Sequence, residues 1–145
     1  MKEGKSVEAG EQCPRKILVV DDNMDSRDLV KKVLRQYDYE IIEAVDGEEA
    51  LAKALSEKPD LILMDRSLPK VDGLEVTRRL KSNKEFEKTP IIALTAHAMR
   101  GDRENALAAG CVGYIAKPIN VRTLADEIRL YLGGQGGDIR RGEQA

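Results

Sequence analysis

Five short apolar runs, each followed by a segment with helical spacing, place the strongest constraint on how this chain folds. The runs predict strands at 16–20, 40–44, 61–64, 90–94 and 112–116. The segments between and after them predict helices at about 24–37, 46–58, 74–83, 99–109 and 121–132. Most of the runs are apolar throughout, which is typical of strands buried on both faces of a parallel sheet. This alternation predicts an α/β fold, with a parallel sheet, helices on both faces and right-handed crossovers.

Length and composition indicate one domain and exclude several classes of partner. The chain has 145 residues, which suits a single core. Its 24 basic and 26 acidic side chains give a net charge of −2, so there is no electrostatic footprint for nucleic acid. Tryptophan is absent and aromatic residues are few, which disfavours base stacking. We therefore expect no nucleic-acid partner.

The two ends differ in composition from the rest of the chain. Residues 1–14 are polar and without periodicity, and they predict a flexible leader. The domain itself is expected over 15–134, and the glycine-rich residues 135–145 predict a disordered tail. Neither a secretory signal nor an apolar run of membrane-spanning length is found, so we expect a cytoplasmic protein with no membrane partner.

Polar residues stand where four of the predicted strands end: Asp21 with Asp22, Asp65, Thr95 and Lys117. In an open parallel sheet the carboxyl ends of the strands lie along one edge, where ligands bind. Taken one at a time, these residues have ordinary explanations as helix caps, turn formers or exposed side chains. Taken together they favour a functional site, because four unrelated choices would all have to fall on the same edge.

The residue types in this set indicate metal and phosphoryl chemistry. Three clustered carboxylates repel one another, and a divalent cation removes that repulsion; oxygen ligands favour Mg²⁺, Mn²⁺ or Ca²⁺. An aspartate beside such a cation can act as a nucleophile toward phosphorus. Lys117 can neutralise a phosphoryl oxygen, and Thr95 can donate a hydrogen bond to another.

Four motifs, in order and with matching spacing, resemble the response-regulator receiver domain of two-component phosphorelay systems, the CheY-like family. They are Asp21-Asp22-Asn23, the run LMDRSLPKVDG at 63–73, Ala93-Leu94-Thr95-Ala96, and Lys117-Pro118. The resemblance extends over about residues 15–134. It implies a flavodoxin-like (βα)5 sandwich with a five-stranded parallel sheet in the order 2-1-3-4-5.

The resemblance also implies a role for each site residue. Asp65 would be the phosphoacceptor. Asp22 would bind Mg²⁺ directly, with Mn²⁺ as a substitute, and Asp21 mainly through water, while Ser67 would offer its backbone carbonyl. The remaining roles would be phosphoryl binding by Lys117, a switch pair of Thr95 and Tyr114, and a cis peptide bond before Pro118.

The function implied is a phosphoacceptor switch rather than an enzyme, although it would catalyse its own phosphorylation and dephosphorylation. A histidine kinase or a histidine phosphotransfer protein would donate the phosphoryl group to Asp65. A surface on the fourth helix, fifth strand and fifth helix would then change for a downstream target protein. We expect a stand-alone receiver, with a receiver excised from a hybrid kinase as the alternative, and either a monomer or a phosphorylation-dependent dimer.

Two other interpretations share parts of this pattern. A Mg²⁺-dependent phosphatase of the aspartyl-phosphate type would use the same nucleophile, but such enzymes commonly carry a second aspartate where Ser67 stands. A flavodoxin-like cofactor binder would share the strand order. That interpretation lacks an evident phosphate loop and the aromatic residues that sandwich a flavin.

Overall fold

The structure is a computed structural model, and it describes residues 15–37, 39–96 and 101–132. The predicted leader (1–14) and tail (135–145) lie outside the described residues. The strands are β1 (Lys16–Val20), β2 (Glu40–Ala44), β3 (Leu61–Asp65), β4 (Ile91–Thr95) and β5 (Gly113–Ala116). The helices are α1 (Met24–Arg35), α2 (Gly47–Glu57), α3 (Gly73–Lys81), α4 (Asp102–Ala109) and α5 (Val121–Leu132), with a 3-10 turn at Lys84–Phe86.

The five strands form one parallel sheet in the order β2-β1-β3-β4-β5. This order confirms the predicted fold class. The strand order reverses direction beside β1, and in such sheets a crevice forms there outside the carboxyl ends of the strands. The register places Val20 beside Met64, Asp65 beside Leu94 and Thr95 beside Ala116, so the strand ends are adjacent.

Two apolar cores lie on opposite faces of the sheet, because successive side chains of a strand point to opposite faces. One core joins the sheet to α1 and α5, and the other joins it to α2, α3 and α4. Within β1, Ile17 and Val19 belong to the first core, and Leu18 and Val20 belong to the second. Burial on both faces explains why β1, β3 and β4 are apolar almost throughout.

Side-chain caps fix where two helices begin, directly after the loops that follow β1 and β3. The side chain of Asn23 accepts a hydrogen bond from the Ser26 N–H at the start of α1. The side chain of Asp72 accepts one from the Leu74 N–H at the start of α3. Each cap satisfies a backbone donor that the helix itself leaves without a partner.

Helical spacing in the sequence predicts that Tyr37 and Leu55 lie on the inner faces of the first and second helices, but both residues are exposed. Tyr37 is 43% exposed, because α1 ends at Arg35 and the ring lies beyond the helix, 5.2 Å from the Arg129 guanidinium carbon. Leu55 is 48% exposed on the outer side of α2. Across the described residues, no helix combines the length and apolar character needed to cross a membrane.

Candidate functional site

Three carboxylates meet at the carboxyl ends of β1 and β3. One oxygen from each of Asp21, Asp22 and Asp65 can be chosen so that all three lie within 4.8 Å of one another. Asp21 and Asp65 are buried, whereas Asp22 is exposed to solvent. The acidic pair and Asp65, separated by more than 40 positions in the sequence, are therefore brought together as the strand pattern predicts.

Asp21 is held in place by contacts to both of its carboxylate oxygens. Oδ1 accepts a hydrogen bond from the Asn23 N–H at 3.0 Å, and Oδ2 accepts one from Lys117 Nζ at 2.8 Å. Its backbone is fixed as well, because the side chain of Arg27 donates to the Asp21 carbonyl at 2.8 Å. Such partners replace the hydrogen bonds to water that a carboxylate loses on burial.

Asp65 is the last residue of β3, and the chain folds tightly around it. Its Oδ1 accepts from the Ser67 N–H at 3.1 Å, and its Oδ2 lies 3.4 Å from Lys117 Nζ. The loop after it returns so closely that a Cβ added to Gly73 would lie 2.0 Å from the Asp65 carbonyl oxygen. Glycine is therefore required at position 73 for the loop to close behind the carboxylate.

Burial and neighbouring charges raise the pKa values of Asp65 and Lys117. Burial raises the pKa of Asp65 to about 6, and the nearby charge of Asp21 adds to the effect against the opposing influence of Lys117. Burial lowers the pKa of Lys117, but the hydrogen bond to Asp21 and the charges of Asp65 and Asp21 outweigh it, so the net pKa is raised. Lys117 is thus an ammonium ion at neutral pH, while Asp65 keeps its proton to a higher pH than an ordinary aspartate does.

Thr95 ends β4 next to this cluster, and it is 4% exposed. Its backbone carbonyl accepts from the Lys117 N–H at 2.7 Å, which ties the ends of β4 and β5 together. Its hydroxyl donates to Oδ2 of Asp102, the first residue of α4, at 3.3 Å. The other oxygen of Asp102 forms an ion pair with Arg66.

The remaining predicted site residues lie around the cluster rather than in it. Ser67 is exposed two residues after Asp65, and the peptide bond between Lys117 and Pro118 is cis. Tyr114 is half-buried on β5 and packs against the core on the α2, α3 and α4 face. Its side chain therefore lies on the face of the sheet next to α4.

Arg66 and Asp102 were not singled out by the sequence. They are 36 positions apart, so no periodicity within one element could pair them. The sequence did carry a chemical signal. A basic residue directly follows Asp65, and an acidic residue directly follows Gly101 within the predicted fourth helix. Their pairing became visible only when β3, β4 and α4 were placed.

An open cleft of about 500 Å³ adjoins the cluster, between the start of α1 and the β5–α5 loop. Its lining combines polar and apolar groups: Asp25, Ser26, Leu29, Ala96, Lys117, Pro118 and Ile119. Lys117 belongs to both the cleft and the cluster, so a molecule in the cleft would reach the carboxylates past its ammonium group.

The donor set suits a hard divalent cation. All of the candidate ligands are oxygen atoms, and three carboxylates with one ammonium leave an excess of negative charge. Hard cations such as Mg²⁺ favour this chemistry, and they commonly use one or two carboxylates with water in the other positions. The acidic triad can therefore hold a metal ion.

Comparison with known proteins gives a consistent result. The sequence model of the response regulator receiver domain family matches residues 17–129. Among curated proteins, the polar-differentiation response regulator DivK of Brucella anthropi is 44% identical over 120 residues, which cover 83% of this chain and 98% of DivK.

Solved structures share the fold. The receiver domain of a sensor histidine kinase from Pseudomonas aeruginosa PAO1, with a magnesium ion coordinated in its active-site cleft, matches with a TM-score of 0.77 and 38% identity, over 83% of this chain and 98% of that one. A chain from the Saccharomyces cerevisiae complex of the histidine phosphotransfer protein Ypd1 with the receiver domain of Ssk1 matches with a TM-score of 0.78 and 26% identity, over 86% of this chain and 92% of that one.

Proposed function

The chain belongs to the response regulator receiver domain family, which makes it a phosphorylation switch of two-component signalling rather than an enzyme, and we propose that Asp65 is its phosphoacceptor. The observation that carries the proposal is the position of Lys117, whose single ammonium group contacts both Asp65 and Asp21. A phosphoryl group on Asp65 would contact this ammonium directly, and Asp21 and Asp22 would lie beside the phosphoryl group.

The transfer we propose is a displacement at phosphorus. A carboxylate oxygen of Asp65 attacks the phosphorus atom of a phosphohistidine, and an O–P bond forms as the N–P bond breaks. The electron pair of the broken bond stays on the imidazole nitrogen, which then takes up a proton, and Asp65 is left as an acyl phosphate. Lys117 neutralises part of the negative charge on the phosphoryl oxygens during the transfer.

Asp22, Asp65 and the Ser67 carbonyl would hold Mg²⁺, or Mn²⁺ in its place, with Asp21 acting mainly through water. The bound ion would supply positive charge that stabilises the phosphoryl oxygens. Asp21 suits an indirect role, because both of its carboxylate oxygens already have protein partners. Asp22 suits direct binding, because it is exposed at the mouth of the cluster.

The readout we propose runs through Thr95 and Tyr114. The acyl phosphate draws the Thr95 hydroxyl toward it, and Tyr114 on the neighbouring strand repacks against the α4 face. The surface of α4, β5 and α5 then changes for a downstream target protein, as a shift between two populated states. The small hydrophobic residues that attach α4 to the core, Ala106 and Ala109, suit an element that moves easily.

The donor we propose is a histidine kinase or a histidine phosphotransfer protein that docks over the cleft beside α1. The cleft opens directly onto Lys117, and a structural relative is known in complex with a histidine phosphotransfer protein. We propose that the chain, which is similar to the response regulator DivK, acts through contacts with a downstream target protein. Its cytoplasmic location and its state as a monomer or phosphorylation-dependent dimer stay predictions.

Phosphorylation by a small donor tests this proposal. The protein is incubated with acetyl phosphate and Mg²⁺, and its intact mass is followed. We expect the unmodified protein to gain the mass of one phosphoryl group. We expect no gain when EDTA is added before the donor, and none in Asp65→Asn. An adduct of the same extent in Asp65→Asn would overturn the assignment.

A further inference from the structure

Asp102 is the point at which β3, β4 and α4 are joined by polar contacts. It is the first residue of α4, and its side chain is only 14% exposed. One oxygen pairs with the guanidinium of Arg66, and the other accepts a hydrogen bond from the Thr95 hydroxyl at 3.3 Å. Both bonds involve the charged carboxylate, and bonds of this kind are stronger than those between neutral groups.

These contacts matter more for α4 than they would for another helix. α4 has eight residues, and only Ala106 and Ala109 among them are buried. By comparison, five residues of α3 are buried, including Leu74, Val76 and Leu80. With little apolar area to anchor it, the start of α4 depends to a large extent on the bonds made by Asp102.

The two partners of Asp102 flank the proposed phosphoacceptor. Arg66 directly follows Asp65, and its N–H donates to the Leu94 carbonyl at 2.9 Å, so its backbone is fixed to β4. Thr95 is the next residue along β4. A single carboxylate on α4 is thus bonded to the side chain after the acceptor and to the hydroxyl proposed to sense its phosphorylation.

We propose that Asp102 is a positioning residue that holds the Thr95 hydroxyl and the start of α4 in the unphosphorylated arrangement, with Arg66 holding Asp102; this inference rests on the proposed function. A threonine hydroxyl has one hydrogen to donate. It can therefore serve the Asp102 carboxylate or a phosphoryl oxygen on Asp65, but not both. When the Thr95 hydroxyl moves to the phosphoryl group, its hydrogen bond to Asp102 at the start of α4 breaks.

Phosphorylation would also weaken the ion pair between Arg66 and Asp102. A phosphoryl group on Asp65 brings added negative charge next to the residue that carries this guanidinium. The new charge competes with Asp102 for Arg66, so one covalent event weakens the bonds of Asp102 to Arg66 and to Thr95. The contact of Asp102 with Arg66 and Thr95 stabilises the unphosphorylated state. Its loss after phosphorylation shifts the balance toward the phosphorylated state.

The contact has an effect that a purely structural ion pair would not have. If it holds the resting state, its removal must lower the stability of the unphosphorylated protein and at the same time favour phosphorylation. If Asp102 only supports the fold, its removal lowers stability and leaves phosphorylation unchanged or slower. The two readouts therefore move in opposite directions only when Asp102 positions Thr95.

The test compares Asp102→Ala, Arg66→Ala and the double variant in the full chain. Initial rates of phosphorylation by acetyl phosphate with Mg²⁺ are measured by intact mass, and thermal unfolding is followed without donor. For Asp102→Ala we expect a rate roughly fivefold above the unmodified protein, the effect of one net hydrogen bond, together with a lower unfolding temperature. The double variant should gain little over Asp102→Ala, because the two side chains act as one unit.

Two matched controls separate this contact from general loosening. Glu104→Ala removes the side chain that accepts from the Gly101 N–H, so it weakens the first turn of α4 but keeps the bonds of Asp102 to Arg66 and Thr95. Arg79→Ala removes an arginine from an exposed pair with Glu75 on α3. We expect neither control to raise the phosphorylation rate.

Several results would overturn the proposal. They are an Asp102→Ala rate at or below that of the unmodified protein, and an equal rise in Glu104→Ala. Asp102→Asn covers the case in which alanine prevents folding, because it keeps an oxygen for Thr95 but weakens the bond to Arg66, and it should give a smaller rise. If the unmodified protein gains no phosphoryl group, the proposed function fails; if it gains one and the variants are no faster, only the role of Asp102 fails.

Discussion

Lys117 Nζ lies 2.8 Å from Oδ2 of Asp21, a carboxylate that is completely buried at the end of β1. The same ammonium reaches Asp65 at 3.4 Å. Lys117 therefore compensates buried negative charge, and under the proposed function it would also bind the phosphoryl group after transfer.

Removing this ammonium should destabilise the metal-free protein. In Lys117→Ala, Asp21 stays buried and loses a charged partner, which in comparable buried pairs costs about 3 kcal/mol of unfolding free energy. The measurement is urea unfolding at neutral pH in the presence of EDTA. Lys58→Ala is the matched control, because Lys58 forms a solvent-exposed pair with Glu85, and its loss should change the free energy of unfolding far less. Equal losses in the two variants would contradict the structural role of Lys117.

The raised pKa of Asp65 predicts how stability depends on pH. Its pKa is about 6 in the folded protein, against 3.8 for an unperturbed aspartate. Between those values the folded state binds more protons, so its contribution to stability is complete below pH 3.8 and is lost as the pH rises through about 6. The free energy of unfolding should fall by about 3 kcal/mol over this range, because one unit of pKa shift corresponds to about 1.36 kcal/mol. In Asp65→Asn, measured with EDTA, the stability should decrease much less as the pH rises. An unchanged dependence of stability on pH would contradict the raised pKa of Asp65.

Magnesium should stabilise the protein, and Asp22 should carry much of the effect. A ligand that binds only the folded state at about 100 times its Kd adds about 2.7 kcal/mol. Asp22→Asn should lose most of the Mg²⁺-dependent rise in unfolding temperature and change little in EDTA, because Asp22 is exposed. Asp25→Asn, an acidic residue in the first turn of α1 outside the carboxylate triad, should keep the rise. A full rise in Asp22→Asn would place the metal elsewhere.

Two glycines should respond very differently to alanine. At Gly73 the new Cβ would lie 2.0 Å from the Asp65 carbonyl oxygen, and a backbone atom cannot move aside as a side chain can. We expect Gly73→Ala to cost more than about 3 kcal/mol, at or beyond the upper range for overpacking. At Gly101 no heavy atom of the described residues lies within 4 Å of the added Cβ apart from the chain neighbours, so the positive φ of 97° is the main obstacle and Gly101→Ala should cost about 1 kcal/mol. Thermal unfolding of the two variants side by side checks the difference, and a mild effect at Gly73 would contradict the described loop.

The sequence predicted the sheet and its functional edge well because both depend on local patterns. Runs such as Leu61–Asp65 are apolar since both faces of the strand are covered, and each run ends in a polar residue since the chain leaves the core there. Parallel strands then bring Asp21, Asp65 and Lys117 together without further information. Asp65 and Thr95 proved to be the last residues of their strands rather than the first residues of loops.

What the sequence did not predict depends on contacts between distant elements. Arg66 and Asp102 pair across 36 positions, and neither shows a periodicity that would point to the other. Tyr37 was placed on the inner face of the first helix by its spacing, but α1 ends two residues earlier and its ring meets Arg129 of α5 instead. Helix ends and side-chain pairs of this kind follow from tertiary packing, which overrides local propensity.

The most direct test of the central claim is to locate the modified residue. The protein is phosphorylated with acetyl phosphate and Mg²⁺ and treated at once with borohydride, which reduces an aspartyl phosphate to homoserine, and the digested peptides are sequenced by mass spectrometry. Phosphorylation at Asp65 predicts homoserine at position 65, dependent on the donor and absent from protein treated with borohydride alone. Homoserine at another aspartate, or an unchanged position 65 in protein that had gained a phosphoryl group, would contradict Asp65 as the acceptor.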